Sequence, residues 1–174
     1  MKTLYTDASF DWTSTEKVIE NVVRGKIAIS DGEKFNYVDK VAIGKVPELK
    51  QYINILELFA IGRAIELAIE HNFKGILSIW SDSQVAVGWA NNKKINPKVE
   101  TEAHRNALEY VIATHKKYGE VEYNFIPRDQ NPAGKLLEAE LEKESPHTKC
   151  SRCNDNGCPT CDGTKGSKYN PEPY

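Results

Sequence analysis

The sequence lacks any apolar run near the roughly 20 residues that a membrane-spanning helix needs. It also lacks an excess of positive charge, since 23 Lys and Arg stand against 25 Asp and Glu, for a net charge of −2 at pH 7. This balance argues against a general nucleic-acid coat protein, although a local basic patch would still bind nucleic acid. Residues 1–7 turn acidic too early for a secretory signal peptide. We therefore expect a cytoplasmic monomer that has no membrane partner.

Cysteine is absent from the first 149 residues, and all four cysteines fall in one short segment near the end. The pattern is Cys150-x-x-Cys153-x4-Cys158-x-x-Cys161, which has the ligand number and pairing of a tetrahedral Zn²⁺ site. In a reducing compartment this clustering favours a metal over disulfides. The alternative is a disordered segment of reduced thiols. If zinc binds, the tail is predicted to be an accessory module for nucleic acid or a partner protein.

The composition of the chain changes after Glu144. The 174 residues suffice for one buried core plus an appendage, and the apolar content of 40% is ordinary for a globular protein. Residues 145–174 are rich in Gly, Pro, Asn and Cys and have almost no aliphatic side chains, so they cannot form a core of their own. We therefore predict a domain over 1–144, followed by a linker and zinc-binding tail over 145–174.

Periodicity and turn residues predict the element order β-β-β-α-β-α-α-β-α. Strands are predicted over 2–9, 25–30, 36–43, 76–80 and 121–126, and helices over 53–71, 83–91, 99–118 and 132–143. Asn131 is predicted to cap the last helix, with Pro132 at its first position. The early strands favour antiparallel pairing and the later ones parallel pairing, which predicts an α/β fold with one mixed five-stranded sheet and helices on both faces.

Three acidic residues stand where such a fold would bring them together. Asp7 and Asp82 each end an apolar run of a predicted strand, and Glu57 lies within a patterned apolar helix, where a charge is costly. Carboxylates that converge at a sheet edge form a hard-oxygen cage suited to Mg²⁺ or Mn²⁺. Taken singly, Asp7 and Asp82 are also explained as solvated caps of a strand or helix. Taken together with Glu57, they favour a metal site.

Three motifs resemble those of type 1 ribonuclease H. They are Tyr5-Thr6-Asp7-Ala8-Ser9, Asn54-Ile55-Leu56-Glu57-Leu58 and Trp80-Ser81-Asp82-Ser83-Gln84, and the resemblance spans Lys2 to Lys143. It implies an RNase H-like fold and metal-dependent cleavage of the RNA strand of an RNA/DNA hybrid. It also implies that Asp7, Glu57 and Asp82 hold two Mg²⁺ or Mn²⁺ ions, one generating hydroxide and the other stabilising the leaving 3′ oxygen.

The resemblance fails at the fourth carboxylate of the family. The family pattern places an Asp in the last helix, where this sequence has Lys135. Glu138, one turn further on, is our preferred replacement and is predicted to be catalytic. Asp129 in the preceding loop is an alternative, and in a third reading three carboxylates suffice while Lys135 contacts phosphate. The histidine-bearing loop of the family is replaced by residues 128–130.

By the same resemblance, amides and small side chains contact the minor groove of the hybrid and read its 2′-hydroxyls and shape. The predicted substrate-binding residues are Ser9, Asn54, Ser83, Gln84 and Asn131, with Lys93 and Lys94 near the DNA strand. The lysines are equally explained as a solvated turn. His71, His104 and His115 are expected on helix surfaces. Two other functions stay open: a nucleic-acid-binding module that has lost cleavage, and a nuclease of the same fold that acts on another substrate.

Overall fold

The computed structural model describes residues 1–10, 22–44 and 52–144, which form five strands, four α-helices and one 3₁₀ turn. The strands are β1 (Lys2–Phe10), β2 (Val22–Ser30), β3 (Asn36–Gly44), β4 (Leu77–Ser81) and β5 (Val121–Phe125). The helices are α1 (Tyr52–Glu70), α2 (Gln84–Asn92), α3 (Glu102–Tyr118) and α4 (Pro132–Glu144), and the 3₁₀ turn is Arg128–Gln130. The predicted element order is confirmed.

The five strands form one mixed sheet in the order β3-β2-β1-β4-β5. β1 pairs antiparallel with β2, and β2 pairs antiparallel with β3. β4 lies parallel to β1 on one side and to β5 on the other. A parallel pair needs a long crossover connection, which α1 supplies before β4 and the α2–α3 pair supplies before β5. The predicted fold class is therefore confirmed.

Side chains alternate between two apolar clusters on opposite faces of the sheet. On β2, Ile27 and Ile29 belong to the main core with α1, α2 and α3, whereas Ala28 between them packs in a smaller cluster with Ala133 and Leu137 of α4. Leu4 and Tyr5 of β1 divide in the same way. The alternation of side chains along each strand thus determines which face of the sheet each helix covers.

α1 is the central helix of the main core, and it packs closely against α3 through Gly62. A Cβ atom built on Gly62 would lie 2.5 Å from the ring of Tyr110, so glycine permits this close approach. The Tyr110 hydroxyl donates a 2.6 Å hydrogen bond to Glu66, which also pairs with Arg63. These contacts hold α1 in place, and α1 carries one of the three acids.

Two expectations about the later helices are wrong. α3 begins at Glu102 and not at 99, because the Thr101 hydroxyl caps it by accepting a hydrogen bond from the His104 backbone N–H at 3.3 Å. His104 is buried and not at the surface, with its ring edge-on to Trp89 at 5.5 Å between centroids. Its Nδ1 lies 2.8 Å from the Thr101 hydroxyl, so a local polar partner permits the burial.

The chain divides into two units, 1–137 and 138–174. Of the second unit, the described residues 138–144 complete α4, and Glu138 and Ala139 are exposed. The predicted boundary after residue 144 and the four cysteines lie at or beyond the end of the described residues, so both stay predictions. Among the helices that the structure describes, none is long and apolar enough to cross a membrane.

Candidate active site

The strand register places Asp7 beside Asp82. In the parallel β1–β4 pair, Thr6 is the partner of Ser81, so the next residue along each strand is one of the two acids. Asp7 is buried within β1, which continues to Phe10 beside β2, while Asp82 is half-buried just after the end of β4. Two carboxylates therefore stand side by side where the parallel pairing stops.

Glu57 completes a cluster of three acids from its position on α1. One carboxylate oxygen from each of Asp7, Glu57 and Asp82 lies within 4.8 Å of the other two. Glu57 is 5% exposed and Asp7 is 6% exposed. Among the residues that the structure describes, this is the one group of three or more acidic, histidine or cysteine side chains close enough to share a metal ion.

The crowding and burial raise the pKa of two of these acids. Burial is the largest cause for Asp7, and together with the nearby charge of Asp82 it raises the pKa of Asp7 from 3.8 to about 6. Burial also raises the pKa of Glu57 well above its ordinary value, with further contributions from the charges of Asp7 and Asp82 and from a hydrogen bond shared with Asp7. Bringing these groups together as anions is costly without a compensating cation.

Arg128 supplies part of that compensation, and the motif analysis gave it no role. Its positive charge offsets part of the rise in the pKa of both Asp7 and Glu57. The guanidinium belongs to an exposed residue of the 3₁₀ turn just before α4. The sequence clue was its place in the loop where the family usually has histidine.

The donor set fits Mg²⁺ or Mn²⁺. All three side chains offer hard carboxylate oxygens, which are the preferred ligands of these ions. The Oε1 atom of Glu57 is buried and has no hydrogen-bond partner. A buried polar atom without a partner is rare in proteins, and a bound ion is one of its ordinary explanations.

Asn131 connects β1, which carries Asp7, to Asp82 just after the end of β4. Its side chain is completely buried, and its Nδ2 donates to the Thr6 carbonyl at 2.9 Å and to Asp82 Oδ2 at 3.3 Å. Its Oδ1 accepts a hydrogen bond from the Ala133 backbone N–H at 3.1 Å, as the predicted cap of α4 requires.

The start of α4 lies directly against Asp7. A Cβ atom built on Gly134 would be 3.2 Å from Asp7 Oδ2 and 3.9 Å from its carboxyl carbon. Such a contact is tighter than most real Cβ contacts, so a side chain at 134 would press on this carboxylate. Glycine at position 134 therefore allows the Asp7 carboxylate to keep its position.

Two of the predicted substrate-binding residues are in contact. The Ser83 hydroxyl donates to Asn54 Oδ1 at 3.3 Å and also caps α2 by accepting from the Ala86 N–H at 3.1 Å. Gln84 follows at the exposed start of α2, and Ser9 is half-buried on β1. This brings the beginnings of α1 and α2 together next to Asp82, just after the end of β4. The roles of these residues toward a substrate stay predictions.

Lys93 and Lys94 are exposed directly after α2. Lys93 adopts the left-handed backbone conformation with φ of 55°, and its N–H bonds the Trp89 carbonyl, which closes the helix. Burial lowers the pKa of His115 on α3, and the positive charge of Lys93 lowers it further. The contact of the two lysines with a DNA strand stays a prediction.

The replacement for the fourth carboxylate is not found in the acidic cluster that the structure describes. Lys135 and Asp129 are both exposed, and Asp129 is not one of the three clustered acids. Glu138 is an exposed residue at the start of the second unit, and its role as a ligand stays a prediction. Cys150, Cys153, Cys158 and Cys161 lie outside the described residues.

Solved structures resemble the chain along most of its length. RNase H1 from the halophilic archaeon Halobacterium salinarum NRC-1 aligns with a TM-score of 0.55 and 16% identity, covering 81% of this chain and 97% of that one. LC11-RNase H1, isolated from compost by a metagenomic approach, aligns with a TM-score of 0.58 and 18% identity, covering 82% and 96%. The fold is that of ribonuclease H.

The same LC11-RNase H1 has also been solved in complex with an RNA/DNA hybrid; that structure has a TM-score of 0.55 and 17% identity, covering 82% of this chain and 97% of that one. No protein-family model matches the sequence, and a search of curated proteins found no match. Likeness at this level of identity shows the ribonuclease H fold and leaves the activity to be argued from the site.

Proposed function

We propose that this protein is a ribonuclease H, an endonuclease that hydrolyses the RNA strand of RNA/DNA hybrids. Asp7, Glu57 and Asp82 would hold two Mg²⁺ or Mn²⁺ ions. When bound, such ions supply a hydroxide nucleophile at neutral pH and stabilise the leaving 3′ oxygen. The observation that carries the proposal is the convergence of three carboxylates within 4.8 Å, two of them almost fully buried.

The protein's own contribution is to preorganise this negative charge. α1 holds Glu57 in the core and the β1–β4 register sets Asp7 beside Asp82, so the ligands need little rearrangement to bind a cation. The raised pKa values of Asp7 and Glu57 reflect the cost of assembling them without one. A cation is therefore bound where it relieves an existing electrostatic penalty.

Substrate selection is proposed to lie on the surface formed by Asn54, Ser83 and Gln84. Asn54 and Ser83 are half-buried, Gln84 is exposed, and the first two are already in contact. Polar groups of this kind suit the minor groove of a hybrid, whose RNA strand displays 2′-hydroxyls. Ser9 is proposed to extend this surface on β1, while Lys93 and Lys94 would contact the DNA backbone.

Lys135 favours a second candidate function. An exposed lysine stands where the family pattern has its fourth acid, and this would leave a nucleic-acid-binding module if three carboxylates do not suffice. Glu138 is our proposed replacement for that acid. Glu138→Gln tests this assignment, because it removes the charge of an exposed residue with little effect on folding. Loss of hybrid cleavage in this variant would support the assignment, and unchanged cleavage would contradict it.

The decisive experiment is cleavage of a labelled RNA/DNA hybrid with Mg²⁺ or Mn²⁺, beside duplex DNA and duplex RNA. We expect cutting of the RNA strand of the hybrid alone, and loss of cutting in Asp82→Asn. The matched control is Asp39→Asn, which makes the same change at an exposed position of β3. Binding of hybrid without cutting would support the binding module, and cutting of another duplex would support a different nuclease.

We further propose that Cys150, Cys153, Cys158 and Cys161 bind one Zn²⁺ ion. Their spacing supports this proposal, and zinc would supply folding free energy that a tail poor in aliphatic residues lacks. Metal analysis of the purified full chain should give one zinc per molecule. Changing Cys158 to Ser should abolish it, whereas zinc retained in that variant would contradict the proposal.

A further inference from the structure

The side chain of Asn131 is completely buried and has no N–H donor left for a ligand. A side-chain amide offers two N–H donors, and both are used: one on the Thr6 carbonyl and one on Asp82 Oδ2. The amide oxygen accepts from the Ala133 N–H. The orientation of the amide follows from its partners, because only the NH₂ group can donate to a carbonyl oxygen and only the oxygen can accept from a backbone N–H.

The backbone of Asn131 is fixed as firmly as its side chain. Its N–H donates to the Arg128 carbonyl at 3.2 Å, which closes the 3₁₀ turn, and its carbonyl accepts from Gly134 and Lys135 in the first turn of α4. Asn131 therefore joins four pieces of the site: Thr6 within β1, the residue after β4, the turn that carries Arg128 and the helix whose start lies against Asp7.

We infer that Asn131 is a positioning residue of the metal site, which orients the Asp82 carboxylate relative to β1 and does not contact nucleic acid. The inference rests on the proposed function for its metal and replaces the expected role of Asn131 in substrate binding. A buried amide that donates to a metal-binding carboxylate sets which oxygen faces the ion and limits rotation of the ligand. Asp82 is the least buried of the three acids, so it depends most on such support.

The test separates the amide donors of Asn131 from its capping role. Asn131→Ser keeps a side-chain oxygen that can cap α4 and adds no charge, but it replaces the two N–H donors with one hydroxyl on a shorter side chain. The matched control is Asn124→Ser on β5, where a half-buried amide donates to the Ser78 hydroxyl at 3.0 Å, away from the acids. Should Asn131→Ser fail to fold, Asn131→Thr offers the same cap with an added methyl group to fill the space.

The first measurement is Mn²⁺ binding to the full chain by calorimetry, with Asp7→Asn defining binding outside the site. We expect Asn131→Ser to bind Mn²⁺ about tenfold to 100-fold more weakly than the wild type, as losses of such supporting residues usually do. Asn124→Ser should bind like the wild type. Unchanged Mn²⁺ affinity in a folded Asn131→Ser would overturn the inference and leave Asn131 a purely structural residue.

The second measurement is the kinetics of hybrid cleavage at saturating Mn²⁺. We expect the KM for hybrid to be unchanged in Asn131→Ser, because no contact with nucleic acid is lost, and a raised KM would contradict the inference. The two proposals fail separately. If the wild type binds Mn²⁺ in an Asp7-dependent way but cuts no hybrid, hydrolysis is refuted and the binding data still decide the role of Asn131. If no Asp7-dependent binding is seen, the positioning role is refuted with the metal site.

Discussion

Asp7 on β1 and Glu57 on α1 are buried together, with one carboxylate oxygen of each within 4.8 Å of the other, although both are acids. Neither side chain is more than 6% exposed, so the protein holds two potential anions away from water with Asp82 as a third beside them. The arrangement is unfavourable for folding without metal and favourable for binding a cation. Most of our predictions follow from this contrast between the cost of the buried acids to folding and their benefit to cation binding.

Asp7→Asn should stabilise the metal-free protein at neutral pH. The pKa of Asp7 is about 6 in the folded chain against an ordinary 3.8, so the folded state binds a proton more tightly between these values. The free energy of unfolding of the wild type therefore falls as the pH rises from about 4 to about 6. Denaturation in EDTA at pH 7.5 should show Asp7→Asn more stable by about 1–3 kcal/mol, since one pKa unit corresponds to about 1.4 kcal/mol.

The pH dependence provides the control for that prediction. At pH 4 the Asp7 carboxyl is already largely protonated in the folded wild type, so the advantage of the variant should shrink greatly. Glu122→Gln, which removes an exposed acid from β5, should change stability little at either pH. An Asp7→Asn variant that is less stable than the wild type at pH 7.5 would show that burial of this group carries no electrostatic penalty.

Mn²⁺ should raise the stability of the wild type and not that of Asp7→Asn. A ligand that binds only the folded state adds about 2.7 kcal/mol to the free energy of unfolding at 100 times its Kd. Thermal melts across a Mn²⁺ series would show the midpoint of the wild type rising while that of Asp7→Asn stays nearly constant. An equal rise in both proteins would place the binding elsewhere on the chain.

Gly134→Ala should weaken metal binding without loss of helix stability. Alanine favours a helix over glycine by about 1 kcal/mol, but its Cβ would lie 3.2 Å from Asp7 Oδ2 and displace that carboxylate by a few tenths of an ångström. Calorimetry with Mn²⁺ should therefore show a lower affinity. Gly88→Ala on α2 is the matched control, because nothing lies within 4 Å of its Cβ position. Gly88→Ala should stabilise the protein and leave its Mn²⁺ affinity unchanged. Unchanged Mn²⁺ affinity in Gly134→Ala would show that the added Cβ atom does not displace the Asp7 carboxylate.

The ease of predicting each part of this site depended on how local its determinants are. Asp7 and Asp82 were predictable because each ends an apolar run, and parallel pairing of β1 with β4 brings the two positions side by side. Glu57 was predictable because a charge interrupts the apolar pattern of α1. The start of α3 was misplaced by three residues because apolar Val99 resembles a helical position, whereas the hydroxyl of Thr101 fixes the boundary.

The role of Asn131 was not predictable from any pattern in the sequence. Its amide partners are 125 residues away at Thr6 and 49 residues away at Asp82, and periodicity carries no information about such contacts. The capping oxygen, by contrast, acts two residues along the chain and was predicted. His104 was misassigned for the same reason, since its burial depends on a tertiary contact with Trp89.

Lys135→Asp should strengthen metal binding if the ribonuclease H pattern carries over to this helix. The change restores an acid at the position where the family has its fourth carboxylate, and an added hard-oxygen ligand lowers the Mn²⁺ or Mg²⁺ concentration needed for half-maximal cleavage. Lys135→Ala is the matched control, because it removes the positive charge without adding a ligand.

Cleavage of hybrid would be measured against metal concentration for wild type, Lys135→Ala and Lys135→Asp. A shift in Lys135→Asp beyond that of Lys135→Ala would show that the aspartate acts as a ligand. Equal shifts would mean that only the lysine charge matters, and reduced activity in both variants would show that Lys135 itself contacts the phosphate.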